Sequence, residues 1–309
     1  MIQIFLFFWL VSAFLVTKEQ KSVRLIIYLG IFSLISSLCF LLFGAPDVAM
    51  AEAVISAFST IVFIVCFEKY YTLVEEPNHL PIKAGFQKGL RKALPFIAFT
   101  VLLAVLFICF LPGGEHNTYL KDQYTARFVQ DVGGENAVTA IYLGYRMYDT
   151  LFEALMLLVS IVAVVHLSWH KGGSVTDGKP SDIRDSDIAG VTVRIICPIL
   201  LLFSVYLIMN GHISPGGGFQ GGVMIAAFFV CRYMIYDIYD VRIHRVITLE
   251  KLVYVGILVI SMYVFLLGTS TYLPIPQSVY LTLMNWLVGI KVASGFLIVF
   301  YRFIAFERR

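Results

Sequence analysis

The feature that most constrains this chain is a series of long, uninterrupted apolar runs. Nine such runs occur, at residues 2–16, 25–43, 47–67, 94–111, 147–168, 193–210, 219–235, 251–268 and 280–301. A hydrocarbon core about 30 Å thick requires roughly 20 apolar residues per helix, and these runs lack the alternation of barrel strands. A mean hydropathy of +0.85 with only 14% charged residues excludes a water-soluble domain. The sequence predicts an all-α polytopic membrane protein with about nine transmembrane helices.

Lysine and arginine are distributed unevenly between the predicted loops. Most of the 23 basic residues fall in alternate loops, among them the hydrophilic stretches at about residues 68–92 and 169–187. Because cytoplasmic loops retain Lys and Arg, we expect the N-terminus outside and the C-terminus in the cytoplasm. The net charge of +3 then reflects topology, and no nucleic-acid partner is expected. The first run has no basic residue before it and no cleavage site after it, so we interpret it as a retained helix.

The five cysteines are scattered singly through the apolar runs. Without paired C-x-x-C spacing, an iron–sulfur cluster or a structural zinc site is not expected, and we predict no cofactor on this chain. The sequence also lacks a motif that combines a nucleophile with a base. The chain therefore shows no sign of catalytic chemistry, and its place in an enzyme would be as a subunit of a redox-driven ion-translocating complex.

Two carboxylates lie in the third apolar run, GAPDVAMAEAVISAF. Asp47 follows Pro46 at the expected helix N-terminus, where a carboxylate is favourable, so Asp47 is either a simple cap or an ion ligand. Glu52 is five residues deeper and has no capping role. A carboxylate among alanines in a spanning helix is costly and usually functional. We predict that both residues belong to an ion path.

The fifth run begins AIYLGYRMYDTLFEALMLL and carries a second pair of carboxylates. Asp149 and Glu153 are four residues apart and share one helix face. They repel each other unless they share a proton, bind a cation or pair with a base, and Arg146 offers such a base. Because oxygen ligands suit hard cations, we predict transient Na⁺ binding at Glu52, Asp149 and Glu153, while a purely structural Arg146–Asp149 pair remains open.

Lys291 lies near the middle of the ninth run, too deep to extend its ammonium group to the surface. It requires a negative or carbonyl partner, unless it is neutral. An ion pair with Glu52, Glu153 or another subunit is as consistent with the sequence as a place in a charge-coupling path. Lys291 is therefore a further ion-path candidate.

The segment GHISPGGGFQGG separates the sixth and seventh runs and contains six glycines in twelve residues. A tight turn requires only one or two glycines. The excess indicates close backbone packing or a gating element before the next helix begins. His212 is either a group that titrates near neutral pH or, more often in such places, a hydrogen-bonding turn residue. The predicted gating or packing motif comprises Gly211, His212, Pro215, Gly216, Gly217, Gly218, Gly221 and Gly222.

Three of these motifs together resemble a known family. GHISPGGGFQGG and the four runs of residues 190–309 resemble the B subunit (MnhB, MrpB) of Mrp-type Na⁺/H⁺ antiporters and its counterpart in membrane-bound hydrogenases. GAPDVAMAEAVISA, in residues 1–79, resembles the three-helix hydrogenase subunit MbhD. NAVTAIYLGYRMYDTLFEA, in residues 80–172, resembles the two-helix subunit MbhE. The resemblance divides the chain into these three units, which are usually found on separate chains or attached to the large antiporter subunit.

The resemblance implies a multi-pass subunit in the cytoplasmic membrane of a prokaryote. Its partners would be other Mrp/Mbh-type membrane subunits, both large antiporter-like and small multi-helix ones, together with lipid and, in hydrogenase-like complexes, a peripheral redox module related to complex I. The transported ion would be Na⁺, and Asp47, Glu52, Asp149 and Glu153 match carboxylates implicated in cation passage. We expect the proton-pumping channel on a partner.

A second hypothesis makes the chain a structural scaffold that docks antiporter-like subunits without carrying ions. An autonomous secondary transporter is disfavoured, because such proteins often show paired, broken-helix halves and no internal repeat is visible in this sequence.

Overall fold

The computed structural model describes residues 2–71, 100–101, 104, 119–167, 187–235, 243–267 and 276–304. Throughout these residues the regular elements are helices, and no strand occurs in them. A π-helical turn, Ile141–Tyr145, joins the short helix α5 to α6. The helices are α1 (Ile2–Lys18), α2 (Ser22–Leu42), α3 (Pro46–Tyr71), α4 (Tyr119–Val132), α5 (Ala137–Ala140), α6 (Met147–Leu167), α7 (Asp187–Asn210), α8 (Gly218–Ile235), α9 (Ile243–Leu267) and α10 (Gln277–Ile304).

Six of the described helices are long and apolar enough to cross a membrane. These spans are Ser22–Leu42, Pro46–Phe67, Met147–Leu167, Gly190–Asn210, Ile243–Leu266 and Gln277–Phe303. Helix α1 is apolar but shorter, and α8 has 18 residues. The predicted run at 94–111 lies outside the described residues except for three positions. The all-helical, multi-pass class is thus confirmed for the described part of the chain, while nine spans and the sidedness of the termini stay predictions.

Helix α9 begins eight residues before the predicted run at 251–268. Its first turns, IHRVITLE, expose His244 and Arg245 and bury Glu250, so they are amphipathic and score as hydrophilic in a search for apolar runs. Arg245 and Lys251 both belong to this helix. The earlier start places Glu250 inside the protein, which matters for the partner of Lys291.

Helix α10 forms the centre of the bundle, with 67% of its spanning window buried. It contributes to two apolar clusters. One cluster joins α10 to α3 and α8 through residues such as Phe58, Val223 and Phe300. The other joins α10 to α9 and the start of α6 through residues such as Ile257 and Met147. The MbhD-like and MnhB-like parts of the chain therefore share one core around α10.

Helices α8 and α10 approach each other through glycines. A Cβ atom added to Gly222 would lie 2.5 Å from the carbonyl oxygen of Gly289 and 2.8 Å from the Cβ of Val292. On another face of α8, a Cβ at Gly221 would lie 2.8 Å from the carbonyl oxygen of Ser204 on α7. The second half of the glycine-rich segment thus packs backbone against backbone, as small residues commonly do between membrane helices.

Replacing Gly222 with alanine should force α8 away from α10. The obstacle is backbone, which no rotamer change relieves, so we expect a loss of about 1–3 kcal/mol or more in stability. The measurement is the fraction of full-length chain that stays soluble after a mild-detergent membrane extract is heated. Gly256→Ala in α9 is the matched control, because nothing lies within 4 Å of the added Cβ. Equal midpoint temperatures for Gly222→Ala and Gly256→Ala would contradict this packing.

Candidate functional site

Asp47 is a buried carboxylate at the first turn of α3, with 7% of its surface exposed. Its Oδ1 accepts hydrogen bonds from Nδ2 of Asn136 at 3.1 Å and from the backbone N–H of Gly216 at 3.0 Å. Its backbone oxygen accepts a bond from Nε2 of Gln220 at 3.4 Å. The helix N-terminus favours the negative charge. Both donors to Oδ1 are neutral amides, so they supply hydrogen bonds but no positive charge.

Asn136 connects three parts of the chain. Its Nδ2 lies 3.1 Å from Oδ1 of Asp47, 3.2 Å from the carbonyl oxygen of Gly211 and 3.0 Å from that of Ser214. Its Oδ1 caps α5 by accepting from the N–H of Val138 at 2.9 Å. Sequence reasoning missed Asn136, although an asparagine directly before a helix is a recognisable N-cap signal.

The loop between α7 and α8 depends on two glycines with positive φ. Gly216 has φ +151° and Gly217 has φ +144°, values that other residues rarely adopt. A Cβ at Gly217 would lie 2.6 Å from the hydroxyl oxygen of Tyr142. The carbonyl oxygen of His212 accepts bonds from the N–H groups of Glu135 and Asn136 at 2.9 and 3.0 Å. His212 therefore bonds through its backbone, whereas its buried Nδ1 has no hydrogen-bond partner within the described residues.

The hydrogen bonds continue from this loop to α10. Thr139 Oγ1 donates to the carbonyl oxygen of Gly211 at 2.6 Å. The hydroxyl of Tyr142 donates to Oδ1 of Asn285 at 2.9 Å, and the N–H of Gly218 donates to the same oxygen at 3.3 Å. Asn285 is fully buried. Asp47, Asn136, Thr139, Tyr142, Asn285 and the backbone of residues 211–218 are named the Asp47 network below.

Tyr142 lies in the π-helical turn, ahead of the spanning segment Met147–Leu167. Such turns are frequent at functional sites. Burial raises the pKa of Tyr142 to about 12, and the negative charges of Asp47 and Glu153 act in the same direction. The hydroxyl therefore stays protonated near neutral pH and serves as the donor to Asn285.

The remaining predicted carboxylates lie on two helices, Glu52 on α3 and Asp149 with Glu153 on α6. Glu52 is half-buried and accepts a close hydrogen bond from Oγ of Ser33 on α2. Asp149 pairs with Arg146, and both side chains are more than half exposed, at 58% and 62%. Glu153 is exposed on α6. In the described ranges, no group of three or more His, Cys, Asp or Glu side chains could hold a metal ion. Ion binding at Glu52, Asp149 and Glu153 stays a prediction.

Lys291 has an intramolecular partner that the sequence did not suggest. Its Nζ donates to Oε1 of Glu250 on α9, and each residue is only 1% exposed. The ring of Tyr254, one turn after Glu250, has its centroid 4.9 Å from the same Nζ. The expected partners Glu52, Glu153 or another subunit are corrected to Glu250. The error follows from the late predicted start of the eighth run.

Two family models match the chain. Residues 7–71 match MbhD, the D subunit of MBH, and residues 188–298 match the domain related to the MnhB subunit of Na⁺/H⁺ antiporters. These two regions therefore resemble the MbhD and MnhB domains of Mrp/Mbh-type subunits. Asp47 and Glu52 lie in the MbhD match, whereas the glycine-rich segment, Glu250 and Lys291 lie in the MnhB match. The unit limits 1–79, 80–172 and 190–309, and the MbhE-like assignment, stay predictions.

Curated proteins that are similar to this chain are named as antiporter subunits. The probable A/B subunit of a K⁺/H⁺ antiporter from Rhizobium meliloti (strain 1021) is 23% identical over 241 residues, which cover 68% of this chain and 23% of that protein. The A1 subunit of the Na⁺/H⁺ antiporter from Staphylococcus aureus (strain JH9) is 32% identical over 154 residues, or 50% of this chain and 18% of that protein. The chain thus spans about a fifth of the length of these relatives.

Two solved structures share the fold. The Mrp complex from Dietzia sp. DQ12-45-1b contains a chain that matches 99% of this one with a TM-score of 0.79 at 18% identity, over 35% of its own length. A chain of the membrane-bound sulfane sulfur reductase, an archaeal respiratory membrane complex, matches 68% of this chain with a TM-score of 0.56 at 24% identity, over 96% of its length. These similarities concern the arrangement of helices.

Asn136→Ala should destabilise the chain through two effects. It removes the cap of α5, worth about 1 kcal/mol, and it removes one donor from the buried oxygens of Asp47, Gly211 and Ser214, at about 1–3 kcal/mol. The midpoint of the same heating assay should therefore fall. Thr125→Ala is the control, because its hydroxyl is exposed and bonds only its own helix backbone. A midpoint for Asn136→Ala equal to that of Thr125→Ala would show that the network is not structurally important.

Proposed function

We propose that this chain is a membrane subunit of a multi-subunit Mrp-type cation/proton antiporter module and that it contributes part of a Na⁺ translocation path. The MnhB-related domain and the relatives named as antiporter subunits support this proposal. Among those relatives, the Staphylococcus names specify Na⁺ and the Rhizobium name specifies K⁺. Na⁺ is the cation proposed here, because the matching family model is named after a Na⁺/H⁺ antiporter.

The same proposal places the module in a larger assembly. The match to MbhD and the fold shared with a chain of an archaeal respiratory complex support attachment to a hydrogenase-like or complex I-related redox complex. The direct partners would be large antiporter-like subunits and small multi-helix subunits in the cytoplasmic membrane of a prokaryote. The N-terminus would face outward, as the distribution of basic residues predicts.

The observation that carries the proposal is the unbalanced charge of Asp47. Three oxygens, from Asp47, Gly211 and Ser214, lie within 3.2 Å of the single Nδ2 of Asn136, which has only two hydrogens. In the described part of the chain, no Lys, Arg or His forms an ion pair with Asp47. A buried carboxylate without a counter-charge is costly. A proton or a hard cation such as Na⁺, which prefers oxygen ligands, would relieve this excess of oxygen and of negative charge.

Two further carboxylates, on α3 and α6, would continue the path from Asp47. Glu52 lies five residues after Asp47 on α3, which corresponds to about 7.5 Å along the helix axis. Glu153 is close enough to influence Tyr142 electrostatically, and Tyr142 belongs to the Asp47 network. Glu153 is exposed on a spanning helix, where a carboxylate facing lipid would be costly. We therefore propose that a polar or charged group of a partner subunit faces Glu153 and continues the path.

Asp47→Asn tests the proposal most directly. The amide side chain is nearly isosteric but lacks the charge, so Na⁺-dependent flux per assembled complex should fall at least about tenfold, equivalent to ~1.4 kcal/mol. Flux is measured in vesicles that contain the reconstituted complex, normalised to the amount of this chain. Asp122→Asn, an exposed carboxylate on α4, is the matched control and should leave flux unchanged. Normal flux in Asp47→Asn would remove Asp47 from the path.

Glu52→Gln and Glu153→Gln extend the test to the deeper positions. Each substitution keeps a polar side chain but removes the negative charge that attracts a cation, so we expect slower Na⁺-dependent flux in both variants. The measurement is again flux per assembled complex, at several Na⁺ concentrations. Asp131→Asn, exposed on α4, serves as the control. If both glutamine variants and Asp47→Asn transport normally, the chain carries no ions.

The scaffold function is the second candidate, and the bonds of Asn136 favour it. A single side chain joins α3, α5 and the α7–α8 loop, as expected of a subunit whose role is to hold a fixed shape for its neighbours. A scaffold predicts that Asp47→Asn lowers the yield of assembled complex but leaves flux per complex unchanged. The ratio of flux to assembled complex therefore separates the two functions.

A further inference from the structure

The ion pair between Lys291 and Glu250 lies apart from the Asp47 network. The nearest network residue on α10 is Asn285, six residues before Lys291, or about 9 Å along the helix axis. Lys291 and Glu250 are each 1% exposed. The side chain of Lys291 contacts the Glu250 carboxylate and the Tyr254 ring. Ser294 bonds only to the backbone oxygen of Lys291. In the described residues, no hydrogen bond links the two side chains to the Asp47 network.

Buried apolar residues lie close to the pair along the sequence of both helices. Val253 and Ile257 follow Glu250 on α9 and are buried, and Val292 next to Lys291 is 3% exposed. A group that carries ions or protons through a membrane usually contacts a wet cavity or a chain of polar groups. The surroundings of this pair are instead those of two charges that neutralise each other in a dry interior.

An ion pair in a dry interior sets the relative position of two helices more than it increases the stability of the fold. Each charge alone would be very costly there, whereas the pair as a whole can often be replaced by apolar residues of similar size without loss. Residues such as Ile257, Leu281 and Met284 also pack between α9 and α10, and these apolar contacts have no directional partner. A shift of one helical turn, about 5.4 Å, would separate Glu250 from Lys291. The pair therefore fixes the height of α10 against α9.

We propose that Glu250 is a positioning residue, which neutralises Lys291, locks the register of α9 and α10, and so holds Asn285 against Tyr142 and Gly218. Lys291 and Glu250 then carry no ions or protons themselves, and Lys291 is not a residue of the ion path. The stability part of this proposal is independent of the proposed function. Only its transport part rests on the chain contributing to Na⁺ flux.

The test compares single and double substitutions in the full-length chain within its complex. Glu250→Met and Lys291→Met each leave an unpaired buried charge, so the midpoint of the heating assay should fall by about 5–10 °C. At a temperature where both single variants stay folded, the Na⁺ concentration for half-maximal flux should rise several-fold, because Asn285 loses its position. The double variant Glu250→Met/Lys291→Met should restore both the midpoint and the half-saturating Na⁺ concentration.

Two results would overturn the proposal. If the double variant regains the midpoint but not the flux, the pair takes part in ion or proton transfer and does more than position the helices. If the double variant is as unstable as the single ones, mutual neutralisation is not the reason that Lys291 is tolerated. Lys251→Met is the matched control, since Lys251 is the exposed neighbour of Glu250 and should be silent in both measurements. If Asp47→Asn leaves flux unchanged while the double variant still restores the midpoint, the proposed function is wrong. The positioning role of the Glu250–Lys291 pair is then still supported.

Discussion

One side-chain amide, that of Asn136, joins three parts of this chain. Asn136 donates to a carboxylate on α3 and lies within bonding distance of two carbonyl oxygens in the α7–α8 loop, while its own oxygen caps α5. Membrane helices gain little from hydrophobic attraction to each other, because lipid is equally apolar. Specific polar contacts of this kind therefore decide which helices meet and at what height. The cap that Asn136 provides begins the helical segment that carries Tyr142, which donates to Asn285.

The glycine-rich segment is what allows this amide to bond so many groups. Gly216 and Gly217 adopt positive φ and leave no side chain between the loop and Tyr142. A few residues later, Gly222 lets α8 contact the backbone of α10 at Gly289. One stretch of sequence thus serves two purposes, first as a loop that presents N–H and C=O groups to Asp47 and Asn136, and then as a helix face that packs closely.

The sequence predicted the class of fold, the carboxylates and the glycine-rich segment because each is a local pattern. Apolar runs, a proline followed by an aspartate, and repeated glycines are visible within twenty residues. The partners were not predictable in this way, since Asn136 bonds a residue 89 positions away and Tyr142 one 143 positions away. Glu250 was missed for a different reason. It lies in the amphipathic first turns of α9. Hydropathy averaged over many residues does not distinguish one inward-facing charge from the exposed polar residues around it.

The chain contains two buried charge sites that are balanced in different ways, and the difference bears on where a cation can bind. At Asp47 the donors are neutral, so no positive charge balances the carboxylate. At Glu250 the donor is an ammonium group, so no charge remains, and an added cation would have to displace Lys291 from a dry interior. Electrostatics therefore favours a cation at the first site and opposes one at the second. If Na⁺ passes through the described part of this chain, the Asp47 network is the site that attracts the ion. The Glu250–Lys291 pair would then keep the helices in place.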